Sequence, residues 1–237
     1  ERVAHVSQIG VVFGQRSQLW WDVPVSDSFS LLKDIYRIPS SDYRHRLTEL
    51  CETLAISGLL KTPVRQLSLG QRMRCEIAAA LLHSPQILFL DEPTIGLDAV
   101  SKLALRDFLK KENAKYGVTM ILTTHDMDDI ESMCSRVMVI GRGRLLYDGS
   151  MQDLKKLYSP LRCIRATLDR RIDSFHIDGA ESSDLDANVL SVYFNPSKVP
   201  SHEIIKQITE KLPLRDVVIQ EQNIDEIIAG MYREMCL

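Results

Sequence analysis

Short apolar runs alternate with longer stretches of mixed character along the first two thirds of the chain. The β-branched run IGVVF (9–13) predicts a buried strand, and QRSQLWWDVPV (15–25) reads as a loop. Apolar positions at helical spacing predict helices over 27–38, 41–57, 71–83, 99–115 and 126–134, with Ser40 and Ser41 as candidate caps of the second. ILFLD (87–91) and VTMILTTH (118–125) are continuous apolar runs, the pattern of parallel strands covered on both faces. RVMVIGRGRLLYDG (136–149) predicts a hairpin whose turn carries Gly141 and Gly143. Strands alternating with helices imply an α/β layer with a mainly parallel sheet.

The texture changes after about residue 158. Shorter alternating runs, RCIRATL, VLSVYF and RDVVIQ, surround a helical pattern at 201–212, and a last helix is expected over 224–236. Residues 160–237 hold 9 basic and 13 acidic side chains, a net of −4, against +1 for the rest. These features predict two domains, 1–158 and a small α+β unit at 159–237. The acidic DGAESSDLD (178–186) reads as a solvated turn, because its oxygens lack the spacing of a Ca²⁺ loop.

Composition removes several function classes. The net charge of −3 provides no basic field, so no nucleic acid is expected as the main partner. Five scattered cysteines (51, 75, 134, 163, 236) without a CxxC pair fit reduced thiols rather than a disulfide framework or a zinc site. No apolar run reaches the roughly 18 residues of a spanning helix, and no signal peptide is recognisable, so a membrane role would come through a partner.

The candidate chemistry begins at QLSLGQRMRCEIAAALL (66–82), where Ser68 and Gly70 run into an Ala-rich helix. A helix start of this kind offers free N–H groups and a positive dipole end to an anion. SPQILFLDEPTIGLD follows, placing Asp91 and Glu92 at the C-terminal end of a strand that Pro93 stops. Ligands of α/β sheets bind at such ends. An Asp there can hold Mg²⁺ beside a nucleotide, and the next Glu can polarise an attacking water. Two solvated acids at a strand end are the plainer reading of a bare Asp-Glu pair. Spacing favours the chemical one: 23 residues separate Ser68 from Asp91, and 34 separate Asp91 from His125, which puts His125 at a neighbouring strand end.

Together LSLGQ (67–71), ILFLDEP (87–93), GLD (96–98) and TTHD (123–126) resemble the signature, Walker B, D-loop and H-loop of ABC-type ATPases. Gln15, with Leu19 four residues on, resembles the Q-loop glutamine. The resemblance covers roughly residues 1–150, and FGQRSQLWWD with PTIGLD looks most like nucleotide-binding subunits of multidrug-type exporters. It implies a P-loop NTPase-like ABC ATPase core with a helical subdomain at about 22–83. It also implies ATP and Mg²⁺ as cofactors and catalytic roles for Glu92, His125 and Gln15. Asp91 and Gln15 would hold the metal, while Ser68, Gly70, Gln71 and Asp98 would meet nucleotide bound on the opposing subunit of a head-to-tail dimer. Integral membrane permease subunits would be the other partner. The subunit would be cytoplasmic, peripheral on the inner face of the cell membrane, and would couple ATP hydrolysis to export. Trp20 and Trp21, beside the Q-loop, are candidates either for core packing or for that membrane partner.

Three positions depart from the family pattern: Leu69 replaces a glycine, Gly14 is inserted before Gln15, and Ile95 stands where a serine is common. A larger departure is that no glycine is followed at the right distance by Gly-Lys-Ser/Thr, the phosphate-cradling loop. The chain also opens without Met, directly in ERVAHVSQIGVVFG. The expectation is therefore an N-terminally truncated, incomplete core, inactive by itself though drawn from an ATPase. Two other readings remain: a non-hydrolysing regulatory remnant, and a soluble ABC-type ATPase of DNA repair or translation. The latter usually carries coiled-coil insertions, zinc modules or tandem cassettes, which this sequence lacks.

Overall fold

The computed structural model describes residues 2–14, 16–158, 161–170, 172 and 175–221. These fall into two compact units, within 1–133 and 134–237. The first contains α1 (Arg2–Val6), β1 (Ile9–Phe13), α2 (Val25–Ile35), α3 (Ser40–Thr53), α4 (Leu69–Leu81), β2 (Ile87–Asp91), α5 (Ala99–Tyr116), β3 (Thr119–Thr123) and α6 (Met127–Met133). Its strands are parallel, in the order β1-β2-β3, with Phe13 opposite Asp91 and Asp91 opposite Thr123. All three strands therefore end level, which brings the residues after them together.

One face of this sheet is closed. Val12, Leu88 and Leu90 are buried there, in a core shared with Ile77, Ala80 and Leu81 of α4. Gly10 makes the approach possible, because a Cβ at that position would lie 2.5 Å from the Ala80 carbonyl oxygen. The other face was expected to be covered as well, but Phe13, Phe89 and Ile121 are 46%, 37% and 39% exposed on it. The strands alternate in burial because only one side meets helices among the described residues. Farther from the sheet, Arg46 of α3 pairs with Glu112 of α5 and also meets Glu49 at 2.9 Å. Both members of the Arg46–Glu112 pair are nearly inaccessible. Removing one partner of such a pair costs about 3–5 kcal/mol, because the other charge is left buried.

The second unit starts with a hairpin, β4 (Val137–Gly141) and β5 (Arg144–Gly149), followed by α7 (Met151–Tyr158). Arg142 and Gly143, both at positive φ, make the turn. Then come β6 (Arg162–Leu168), β7 (Ser182–Asp186), β8 (Val189–Phe194), α8 (Ser201–Lys211) and β9 (Leu214–Glu221). They form an antiparallel sheet in the order β7-β8-β6-β9. Ile204 and Ile208 of α8 are fully buried with Ile164, Val192 and Phe194.

Several expectations need correction. The second helix begins at Ser40 with Pro39 as its N-cap, and neither Ser40 nor Ser41 caps it. Helices α2 and α3 stop earlier than their apolar pattern suggests, because Arg37 and Ala55 turn to positive φ. The stretch 178–186 is not one turn: after Asp178 and Gly179 the chain forms the edge strand β7, held by ladder bonds to β8. Helices α1 and α7 were not foreseen. The helix expected at 224–236 lies outside the described residues. The hairpin and α7, read from sequence with the first domain, group with the second unit.

Candidate functional site

The level strand ends bring Asp91, Glu92, Thr123 and His125 together. Thr123 Oγ1 donates to Asp91 Oδ1 at 2.6 Å. The chain then turns sharply at Glu92, whose φ of 51° is rare for a side-chain-bearing residue. Its N–H donates to the Thr123 carbonyl (2.9 Å), and its own carbonyl accepts from Ile95. His125 Nδ1 lies 2.9 Å from Glu92 Oε2. The contact holds a Glu92 oxygen that is otherwise closed off from its surroundings. The pairing with Glu92 raises the His125 pKa above its ordinary 6.5.

The pairing is measurable in the 237-residue chain. The attraction is complete when His125 is protonated and is lost as pH rises through its raised midpoint. Glu92→Gln should move that midpoint back down toward 6.5 in an NMR titration, with His125→Asn assigning the resonance. Identical midpoints in both proteins would show that the two side chains do not interact.

Gln15 lies outside the described residues. Its neighbour Gly14 donates its N–H to the Asp91 carbonyl at 2.7 Å. A Cβ at Gly14 would stand 2.5 Å from the Glu92 carbonyl oxygen and 3.0 Å from Ile95 Cγ2. The inserted glycine and the unusual isoleucine thus fit each other, and the fit holds the loop against the strand end.

Ser68 is the N-cap of α4 in a complete capping box. Its Oγ accepts from the Gln71 N–H (3.2 Å), and the Gln71 side-chain oxygen accepts from the Ser68 N–H (2.9 Å). Asp98 caps α5 in the same manner, accepting from Ser101 N and Ser101 Oγ at 2.9 and 2.8 Å. Those bonds hold its carboxyl below the usual range. The two helix starts adjoin: a Cβ at Gly70 would lie 3.4 Å from Ser101 Oγ. Leu69, where the family pattern has glycine, places its Cδ2 2.5 Å from the point a Gly96 Cβ would occupy. Gly96, at φ +69°, leaves the room that Leu69 fills.

A buried network behind the site escaped the sequence reading. Asp129 of α6, fully inaccessible, accepts from Thr94, from Thr124 Oγ1 (3.3 Å) and from Arg106 Nε (2.6 Å). Asp126, next to His125, is held by Lys102 at 2.5 Å, which with Arg106 keeps its carboxyl below the usual range. These bonds fix the segments after Glu92 and around His125 relative to α5.

Among the described residues no group of three or more His, Cys, Asp or Glu could hold a metal alone. The donors present suit Mg²⁺ nonetheless. Mg²⁺ takes hard oxygen ligands, keeps several waters, and is commonly held by one or two carboxylates plus substrate phosphates. Asp91 offers one exposed carboxylate, oriented by Thr123. Trp20 and Trp21 are 60% and 51% exposed and so are not core residues. Their backbone is fixed, by Trp20 N–H to Ser28 Oγ (3.1 Å) and Arg65 N–H to the Trp21 carbonyl (3.0 Å).

Residues 1–95 match the ABC transporter family. A methionine import ATP-binding protein, MetN 3 of Shouchella clausii, is 26% identical over 97% of this chain and 67% of its own length. MetN 1 of the same organism is 35% identical over 60% of this chain and 41% of its own length. The chain thus spans from about two fifths to two thirds of these relatives. The solved structure of cbiO1 from Clostridium perfringens, described as part of the ABC transporter complex cbiONQ, superposes with a TM-score of 0.57. It is 30% identical and covers 64% of this chain and 60% of that one. The fold is the P-loop NTPase-like fold of ABC ATPases. By its motifs, their arrangement and these similarities, residues 1–95 match the ABC transporter family and the chain is similar to ATP-binding subunits of ABC transporters.

Proposed function

We propose that this chain supplies the hydrolytic strand end and the signature helix of an ATPase subunit that drives a separate membrane permease. The observation that carries the reading is the Glu92–His125 contact at adjacent strand ends, beside the exposed Asp91. Asp91 and Gln15 are the residues that would hold Mg²⁺. When bound, the metal neutralises phosphate charge. Glu92 accepts the proton of the attacking water, and His125 keeps Glu92 in place and donates toward a phosphate oxygen. Ser68, Gly70 and Gln71 present the α4 start, and Asp98 the α5 start, to nucleotide on a second copy of the subunit. The exposed, backbone-fixed Trp20 and Trp21 form part of the surface for the permease. These groups are indifferent to the direction of transport. The relatives do not fix that direction, since the two above are named for methionine import and another, of Bacillus subtilis, for linearmycin resistance.

The phosphate loop is absent from these 237 residues. We infer that the open apolar face at Phe13, Phe89 and Ile121 is where the segment bearing it packs in the full-length gene product. The test compares the two proteins. The full-length product should hydrolyse ATP in a Mg²⁺-dependent manner, at the roughly 1–10³ s⁻¹ usual of enzymes or somewhat below. The 237 residues alone should show no calorimetric binding at millimolar Mg-ATP. A full-length product without ATPase activity overturns the hydrolytic reading in favour of a regulatory module. Micromolar binding by the shorter chain would show that the loop is dispensable.

A further inference from the structure

Glu76 sits on α4 eight residues beyond the Ser68 cap, about 12 Å along the helix. It is 2% exposed. Its carboxylate faces the segment that follows Gly14. Ser17 Oγ donates to Oε1, and the Gln18 N–H donates to Oε2 over 3.2 Å. Gln18 Nε2 also donates to the Glu76 carbonyl at 3.1 Å. Burial pushes the Glu76 pKa up, while these donors and the Arg72 charge draw it back. A leucine would fill this helix face without the cost of desolvating a carboxylate. What the carboxylate adds is a connection.

The segment's other end is fixed as well, since Gly14 is bonded to Asp91 and lies flush against the Glu92 carbonyl. Contacts thus hold the chain on both sides of Gln15, Gly14 at the catalytic strand end and Ser17 and Gln18 at α4, and α4 begins at the cap that meets the partner's nucleotide in the reading above. We propose that Glu76 is a positioning residue, tying residues 16–19 to α4 so that the Asp91–Glu92 strand end and the Ser68 helix start move as one body. The proposal rests on both ends taking part in ATP turnover, as proposed above.

Two measurements test it. The first is amide hydrogen exchange of the 237-residue chain without nucleotide. Glu76→Ala and Ser17→Ala should each raise exchange of a peptide spanning 16–20 about tenfold or more, with β2 unchanged. Ser17→Ala leaves the helix and its core intact, so the test survives if Glu76→Ala folds poorly. The second is the full-length gene product, where each variant should lower kcat about ten- to hundredfold, the scale of a displaced reacting group, with KM for ATP within about twofold. The double variant should be no slower than Glu76→Ala, because both changes cut one connection. Faster exchange with normal kcat would make Glu76 a structural acid only and overturn the proposal. Unchanged exchange would overturn it too. A wild-type product without ATPase activity would defeat the reading of the site, while the exchange experiment alone would still decide whether the tie exists.

Discussion

Glu92→Gln in the full-length gene product should leave ATP binding intact and reduce turnover about a hundredfold or more. That is the lower end of what a positioned general base contributes, and corresponds to roughly 2.7 kcal/mol of transition-state stabilisation. Binding should survive because Asp91, the carboxylate proposed to hold the metal, keeps its bond from Thr123 and its place at the strand end. The backbone turn at Glu92 rests on main-chain bonds to Thr123 and Ile95, which glutamine makes equally well. What the amide cannot do is take a proton from water. Steady-state ATPase activity and equilibrium nucleotide binding separate the two effects. Near-normal turnover with normal binding would remove Glu92 from its role. Loss of binding would instead make it a ligand.

Ser68→Arg should abolish ATP-driven dimerisation, and hydrolysis with it. The substitution breaks the capping box, which costs about 1 kcal/mol of helix stability. That is small against the stability of a domain of this size, so the monomer should stay folded. The arginine also displaces the hydroxyl and covers the first-turn N–H groups that an anion would meet. Nucleotide affinity of the isolated subunit should hold, because its own phosphate loop does that binding. Size-exclusion chromatography with ATP would show a monomer. A normal ATP-dependent dimer would reduce Ser68 to a helix cap.

Much of this site was legible in the sequence because it depends on local pattern. The strand ILFLD was read to its exact limits, since an apolar run stopped by Asp-Glu-Pro has few other solutions. The helix after Ser68 was expected over 71–83 and runs from Leu69 to Leu81, because the Ser68–Gln71 capping box, which the apolar periodicity does not register, starts it two residues earlier. Contacts between distant segments were not legible. Gly14, Ile95 and Leu69 each look like departures when read singly, and only the approach in space of Gly14 to Ile95, and of Leu69 to Gly96, makes them complementary. Nothing in the local pattern singled out Asp129 or Glu76, both buried because hydroxyl and N–H donors from other segments converge on them. The edge strand β7 was missed for a related reason. SSDLD has poor strand propensity and gains its ladder from β8.

The most direct test of the composite, two-chain site is a mixed dimer of the full-length product with Ser68→Arg on one chain and Glu92→Gln on the other. If Ser68 serves nucleotide on the opposing chain, both lesions fall in one site and the other site is chemically whole. That dimer should keep measurable ATPase activity, at or below half the wild-type rate. Placing both substitutions on one chain, opposite a wild-type partner, should damage both sites and leave almost none. The reverse pattern, with the mixed dimer dead and the doubly substituted chain's dimer active, would mean that Ser68 acts on its own chain's nucleotide and would contradict the head-to-tail site.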